Sequence, residues 1–117
     1  MNLTEKEIFV RKLIFEYLRK QEVPVKRIYI LEHLHSQGID INDSQMRIQI
    51  QESILQDKMP IGSNEEGIFV IKNKEYLFKA MKFLDDKARS LAIRRNCLQT
   101  NYENYRNIGR IQQELEI

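Results

Sequence analysis

The sequence predicts a mainly α-helical protein with a small β-hairpin and a long C-terminal helix. Apolar residues recur at helical spacing in three segments before residue 59, and a segment with a Gly/Ser/Asn centre and apolar ends covers residues 60–73. Neither proline nor glycine interrupts residues 74–108, which favours one continuous helix there. A chain of 117 residues is long enough to fold without disulfides, since it buries roughly two-thirds of its unfolded surface.

The first two helices are marked by their apolar faces and their ends. The first is expected to span about 17 residues and to end before Val23-Pro24. The second is expected to end at Ser36-Gln37-Gly38, where the glycine suits a left-handed cap. The apolar residues that define the first face are Ile8, Val10, Leu13, Ile14, Tyr17 and Leu18, and those of the second are Ile28, Leu31 and Leu34.

A third helix and a hairpin are predicted next. Asn42-Asp43-Ser44 offers three N-cap residues in a row for a helix that runs to about Lys58. Its core face is expected to consist of Met46, Ile50, Ser53 and Ile54. In the hairpin, Ile61 and the run from Ile68 to Ile71 flank a polar loop that contains Glu65-Glu66.

The C-terminal segment carries a heptad pattern over about four repeats, which predicts a coiled coil and a parallel or antiparallel homodimer. We expect a helix of about thirty residues from Lys74, with fraying or a turn near residues 104–109. The alternative is that Leu77, Met81 and Leu84 pack on the preceding domain. The predicted dimerisation residues are Leu77, Met81, Leu84, Ala88, Leu91, Leu98, Tyr102 and Tyr105, with Arg95 at a seam position.

The order of these elements resembles a winged helix-turn-helix domain over residues 1–73, followed by an assembly helix and tail over residues 74–117. More narrowly, Pro60-Ile61-Gly62-Ser63 and Gly67-Ile68-Phe69, followed by a helix with Arg and Ile near its middle, resemble small phage-encoded winged helix-turn-helix proteins of Gram-positive bacteria across residues 25–98. The resemblance implies a DNA-binding regulator or replication factor. Winged helices also serve as protein-docking modules, so the fold leaves the function open.

If the protein reads DNA, the third helix is expected to enter the major groove of a duplex while the wing lies on the backbone. Its Gln and Arg side chains can bind adenine and guanine edges, and nearby cations and polar wing residues can hold phosphates. The predicted DNA-binding residues are Lys26, Arg27, Ser44, Gln45, Arg47, Gln49, Gln51, Ser63, Asn64, Lys72 and Lys74.

Other residues of the same surfaces favour a different partner. Ile48 and Leu55 lie on the outer face of the third helix, and the acidic Glu52 and Glu65-Glu66 would repel phosphates. One alternative is therefore that Ile48, Glu52 and Leu55 contact a protein, either a second subunit or a target. In the latter case the protein is a module that binds and modulates or inhibits a host or replication protein without DNA. A third interpretation is that the Gln-rich positions are simply a solvated face.

The positive charge is unevenly distributed. The chain has 19 Lys and Arg against 17 Asp and Glu, a formal net charge of +2. Residues 1–59 hold nine basic and nine acidic side chains, whereas residues 72–95 hold eight basic and three acidic ones, a local excess of five. Near-neutrality argues against a strongly basic nucleic-acid coat.

We expect no enzymatic activity, cofactor, metal or small-molecule substrate. His33 and His35 diverge on a helix, Cys97 is isolated in the sequence, and adjacent Asp85 and Asp86 point apart. One cysteine and only short apolar runs favour a cytoplasmic protein without a membrane partner. The resemblance to phage proteins implies that this cytoplasm is that of a bacterial host cell. The expected partners are double-stranded DNA, a second copy of the chain or a protein target.

Overall fold

The computed structural model describes residues 3–116, with the side chains of residues 4–110. Three helices precede a two-stranded antiparallel hairpin, and a fourth helix follows it. This arrangement confirms the predicted fold class, and its topology is that of a winged helix-turn-helix. The elements are α1 (Leu3–Arg19), α2 (Arg27–Ser36), α3 (Asp43–Leu55), β1 (Ile61–Asn64), β2 (Gly67–Val70) and α4 (Lys74–Glu116).

The chain forms two compact units. The first ends at Phe83 and the second begins at Leu84. The first unit therefore extends past residue 73, where the sequence places the end of the winged domain. The reason lies in the first turns of α4, which supply the buried Ala80.

The core of the first unit lies between α1, α2 and α3. Each helix contributes residues one turn apart, as their 3.6-residue period requires. Ile28 departs from the predicted core face: it is 54% exposed, because Ile30 and Leu34 occupy the buried side of α2. Ile54 is also exposed, at the edge of α3. The largest fully buried side chains are Ile14, Leu18, Ile30, Leu34, Met46 and Ser53.

The connection between α2 and α3 is fixed by caps at both helix ends. Gly38 has a φ of 79°, and its amide donates to the His35 carbonyl at 3.0 Å, as in a left-handed C-terminal cap. Asn42 begins α3: its side chain accepts from the Gln45 amide at 2.8 Å, and the Gln45 side chain accepts from the Asn42 amide at 3.0 Å. This reciprocal pair satisfies two otherwise unpaired donors.

The end of α3 differs from the prediction. The helix stops at Leu55, short of Lys58. Lys58 adopts a φ of 59°, and its ammonium donates to the Leu55 carbonyl at 2.9 Å. The chain thus leaves the helix before Met59-Pro60 and enters β1.

The wing is a tight hairpin whose turn contains Glu65-Glu66, between Asn64 and its partner Gly67. The Asn64 side chain accepts from the Glu66 and Gly67 amides at 2.8 and 3.2 Å. On the other edge, Val25 and Ile68 exchange two backbone hydrogen bonds of 2.8 Å each. This bridge joins the wing to the segment that enters α2.

The start of α4 packs against the wing. Ala80 lies so close to Gly62 that a Cβ added to that glycine would be 2.7 Å from the Ala80 Cβ. The rings of Phe69 and Tyr76 are 5.1 Å apart, in the range of a favourable aromatic pair. Side chains of α4 therefore cover one face of the hairpin.

The helix α4 is 43 residues long, longer than the predicted thirty. The expected fraying or turn at residues 104–109 is wrong, since the segment is helical. A glycine in an exposed helix costs only about 1 kcal/mol relative to alanine, which is too little for Gly109 to end α4. Across residues 3–116, no helix is apolar enough over a sufficient length to cross a bilayer.

We predict that Gly67→Ala destabilises the first unit by about 2 kcal/mol or more. Gly67 has a φ of 148°, and an added Cβ would lie 2.6 Å from the Val25 backbone. Urea unfolding followed by circular dichroism measures the change. The control is Gly109→Ala, where an added Cβ has nothing within 4 Å; equal losses in the two variants would contradict the prediction.

Candidate nucleic-acid interface

The outer face of α3 is the surface that the sequence assigns to a partner. With Met46, Ile50 and Ser53 in the core, a rotation of 100° per residue turns the opposite side of the helix to solvent. That side consists of Ser44, Ile48, Gln51 and Leu55, with Arg47 next to them, and all five are exposed. The face thus combines groups that can bind base edges with two aliphatic side chains.

Asp43 is shared by two arginines at the N-terminal ends of α2 and α3. Its carboxylate Oδ2 lies 3.7 Å from Arg27 Nη1 and 3.6 Å from Arg47 Nη1. All three side chains are about half exposed, and both separations are longer than a direct charge-assisted hydrogen bond. The group carries a net charge of +1 and adjoins the outer face of α3. We call Arg27, Asp43 and Arg47 the arginine cluster.

Gln49 does not belong to the outer face. Its side chain accepts from Arg11 Nη1 at 3.0 Å, while Arg11 Nε donates to Asp57 at 2.7 Å. Arg11 is 9% exposed, so both acceptors hold a charge that is almost removed from water. Gln49 therefore supports the packing of α1 on α3, and the structure separates it from Arg47 and Gln51.

Three other predicted contact residues have structural hydrogen bonds or are partly covered. The Gln45 side chain is exposed, but its oxygen caps the start of α3. The Asn64 side-chain oxygen closes the hairpin turn, and Ser63 is half-buried in β1. The side-chain oxygens of Gln45 and Asn64 are therefore already engaged within the protein.

The predicted phosphate-binding lysines occupy two places in the first unit. Lys26 is exposed directly before α2 and follows Val25, the residue paired with the wing. Lys72 leaves the wing and donates to the Gln21 carbonyl at 3.0 Å, which ties it to the loop after α1. Lys74 is exposed at the start of α4.

The residues of the alternative protein-binding surface are also placed on α3. Ile48 and Leu55 are 55% and 56% exposed, two turns apart on the outer face. Glu52 is half-buried beside them. An exposed aliphatic pair on the outer face of α3 is the feature that base recognition explains least.

Sequence reasoning missed Arg11. A signal was present, because a position between Val10 and Ile14 falls on the apolar side of α1 at helical spacing. A charged residue on that side requires buried acceptors. The sequence could not identify Asp57 and Gln49 as those acceptors, since they lie 46 and 38 positions away.

The heptad positions of α4 remain exposed in both units. In the first unit, Leu77 and Met81 are exposed, so the alternative in which they pack on the winged domain is wrong; Tyr76 and Ala80 supply that contact. The second unit presents further exposed seam residues on one face of the helix. They are Leu84, Leu91, Leu98, Tyr102 and Tyr105, together with the smaller Ala88.

Comparisons with models of protein families, with curated proteins and with solved structures find no match for this chain. The resemblance to phage winged-helix proteins therefore stays a prediction. Among the described residues, no three His, Cys, Asp or Glu side chains are grouped so that they could hold a metal ion.

We predict that Gln49→Ala lowers the free energy of unfolding by about 1–2 kcal/mol, because it removes an acceptor from the nearly buried Arg11. Gln51→Ala is the matched control in the same helix and should change stability by less than about 0.5 kcal/mol. Chemical denaturation of both variants measures the difference. Equal stabilities would show that Gln49 has no structural role.

Proposed function

We propose that this protein is a non-enzymatic, dimeric DNA-binding protein of phage or mobile-element origin, acting in transcription regulation or replication in the cytoplasm of a bacterial host. The observation that supports it best is the exposed outer face of α3 within a winged helix-turn-helix topology. Arg47 and Gln51 on that face have the chemistry to bind guanine and adenine edges. The other exposed polar residue of the face, Ser44, lies at the N-terminal end of the helix.

In this proposal α3 enters the major groove and the segments around it hold the backbone. Arg27 and Lys26, at the start of α2, are placed to contact phosphates. Lys72 and Lys74 follow the wing and contact the adjacent backbone. The acidic wing tip, Glu65-Glu66, would be held away from the phosphates, which limits the contact to the base of the wing.

We expect the protein to bind duplex DNA at ~50 mM salt with micromolar or better affinity, and the affinity to fall steeply as salt rises because counterions are released. Arg47→Ala should weaken binding about tenfold, the effect of losing one good base contact. Asp43→Asn should strengthen it several-fold, because it removes the acid that offsets Arg27 and Arg47. Fluorescence anisotropy against salt measures all three affinities.

The control for Asp43→Asn is Glu103→Gln, which removes one negative charge from the exposed surface of the second unit and should leave affinity unchanged. Absence of binding at ~50 mM salt with micromolar protein would overturn the DNA-binding proposal. Equal tightening by both variants would show that net charge alone, and not the arginine cluster, governs binding.

A second candidate function is a winged-helix module that binds and modulates a host or replication protein. The exposure of Ile48 and Leu55 favours it, since water-exposed aliphatic side chains at the centre of a contact face suit a protein partner. Ile48→Ser with Leu55→Ser separates the candidates. DNA binding that survives this double change shows that the two residues make no contact needed for DNA and leaves them free for a protein partner, whereas binding lost with the fold intact places them against DNA.

The dimer is proposed from the exposed seam of α4. An exposed leucine at every seventh position is the pattern that a second helix covers. Leu91→Glu with Leu98→Glu should convert the protein to a monomer in sedimentation equilibrium at ~10 μM, because each dimer would bury four carboxylates. Ile93→Glu is the control: Ile93 is also exposed but lies off the seam, so that variant should remain a dimer.

A further inference from the structure

The seam and the charged residues of α4 in the second unit favour one arrangement of two copies. We propose that α4 helices of two copies associate antiparallel, with Ala88 of one copy opposite Tyr105 of the other, and that Asp85 and Arg106 form the salt bridges that fix this register. The inference rests on the self-association proposed above. In this proposal the exposed seam of the second unit is covered by α4 of a second copy of the protein.

The residues of the seam, and the residues that lie directly beside it on the helix surface, both disfavour a parallel pair. In a parallel coil each seam residue faces its own copy, so Arg95 would meet Arg95 of the second copy in one layer. The flanking positions then place Lys87 opposite Ala92 and Arg94 opposite Gln99. No flanking pair between residues 84 and 110 joins opposite charges, so nothing offsets the repulsion between two arginines that face each other in the same layer.

An antiparallel pair places the two arginines in adjacent layers instead of the same layer, because each leucine position then faces one of the alternate seam positions, which include Ala88, Arg95 and Tyr102. In the proposed register Arg95 packs beside Leu98 of the second copy. Its aliphatic stem can cover the leucine while the guanidinium reaches solvent. Tyr102 meets Leu91, so large side chains alternate with smaller ones such as Ala88 along the seam.

The charges select one antiparallel register from its neighbours. In the proposed register Asp85 faces Arg106 of the second copy, and the two-fold symmetry forms this pair twice. Arg94 faces the neutral Asn101. A shift of one heptad in one direction places Arg94 opposite Arg94 of the second copy, and a second shift places it opposite Lys87. A shift in the other direction leaves no opposite charges paired and shortens the overlap.

The two side chains are available for this role. Asp85 and Arg106 are both exposed, and neither has an ion-pair partner within the described part of the chain, whereas Asp86 is paired with Arg89 at 3.8 Å. Asp85 and Arg106 therefore carry opposite charges beside the apolar seam. They are too far apart along one helix to pair with each other. A second antiparallel copy brings them together.

A charge swap tests the register. Asp85→Arg and Arg106→Asp should each raise the dimer dissociation constant about tenfold or more, since each places like charges together twice. The double swap, Asp85→Arg with Arg106→Asp, should restore it to within about threefold. Neighbours within the helix cannot produce this rescue, because the two positions are too far apart to touch in one chain. Glu103→Arg, on the side away from the seam, is the control and should have little effect.

A distance measurement tests the orientation. In a Cys97→Ser background, spin labels at Asn107→Cys should lie about 40 Å apart in the proposed antiparallel dimer and about 25 Å apart in a parallel one, from the 1.5 Å rise per residue and the helix diameter. A short distance, or a swap that fails to rescue a dimer, overturns the register while leaving the dimer intact. A wild-type monomer at ~10 μM overturns the proposed self-association itself.

Discussion

The backbone pairing of Val25 with Ile68 is the constraint on which the first unit depends. A hairpin of two four-residue strands is marginal by itself in water. Two hydrogen bonds of 2.8 Å fasten it to the chain just before α2, and the absence of a side chain at Gly67 lets the Val25 backbone approach the hairpin this closely. The same bridge fixes where Lys26 begins the helical pair, so the position of the wing and that of the candidate interface follow from one contact.

Polar residues of α3 divide into two groups that look alike in the sequence. Gln45 and Gln49 have structural hydrogen bonds, one at the helix cap and the other to Arg11, while Gln51 remains exposed. The division reduces the set of side chains available to a partner and leaves Arg47 and Gln51 beside exposed Ile48 and Leu55. This mixture is why DNA and a protein both remain candidate partners of one helix.

The sequence predicted most of the fold, because the fold depends on local signals. Helical periodicity placed α1 over the correct length, Gly38 marked the end of α2, and Asn42 marked the start of α3. It predicted less of the site, because site residues are decided by contacts between distant segments. Nothing near Gln49 in the sequence indicates Arg11, and nothing near Ala80 indicates that Gly62 leaves room for it. The length of α4 was underestimated because Gly109 was given more weight than its small energetic effect warrants.

The position of Asp43 has a consequence for selectivity. Both of its contacts with arginine are long, so the carboxylate is a weakly held counterion that belongs to the protein itself. Any external anion that approaches Arg27 or Arg47 must compete with it, and a weakly held or poorly aligned anion gains little from displacing it. A ligand that binds Arg27 and Arg47 at the same time replaces both contacts of the Asp43 carboxylate. If the protein binds DNA as proposed, the cluster would therefore discriminate by geometry among anions that carry the same charge.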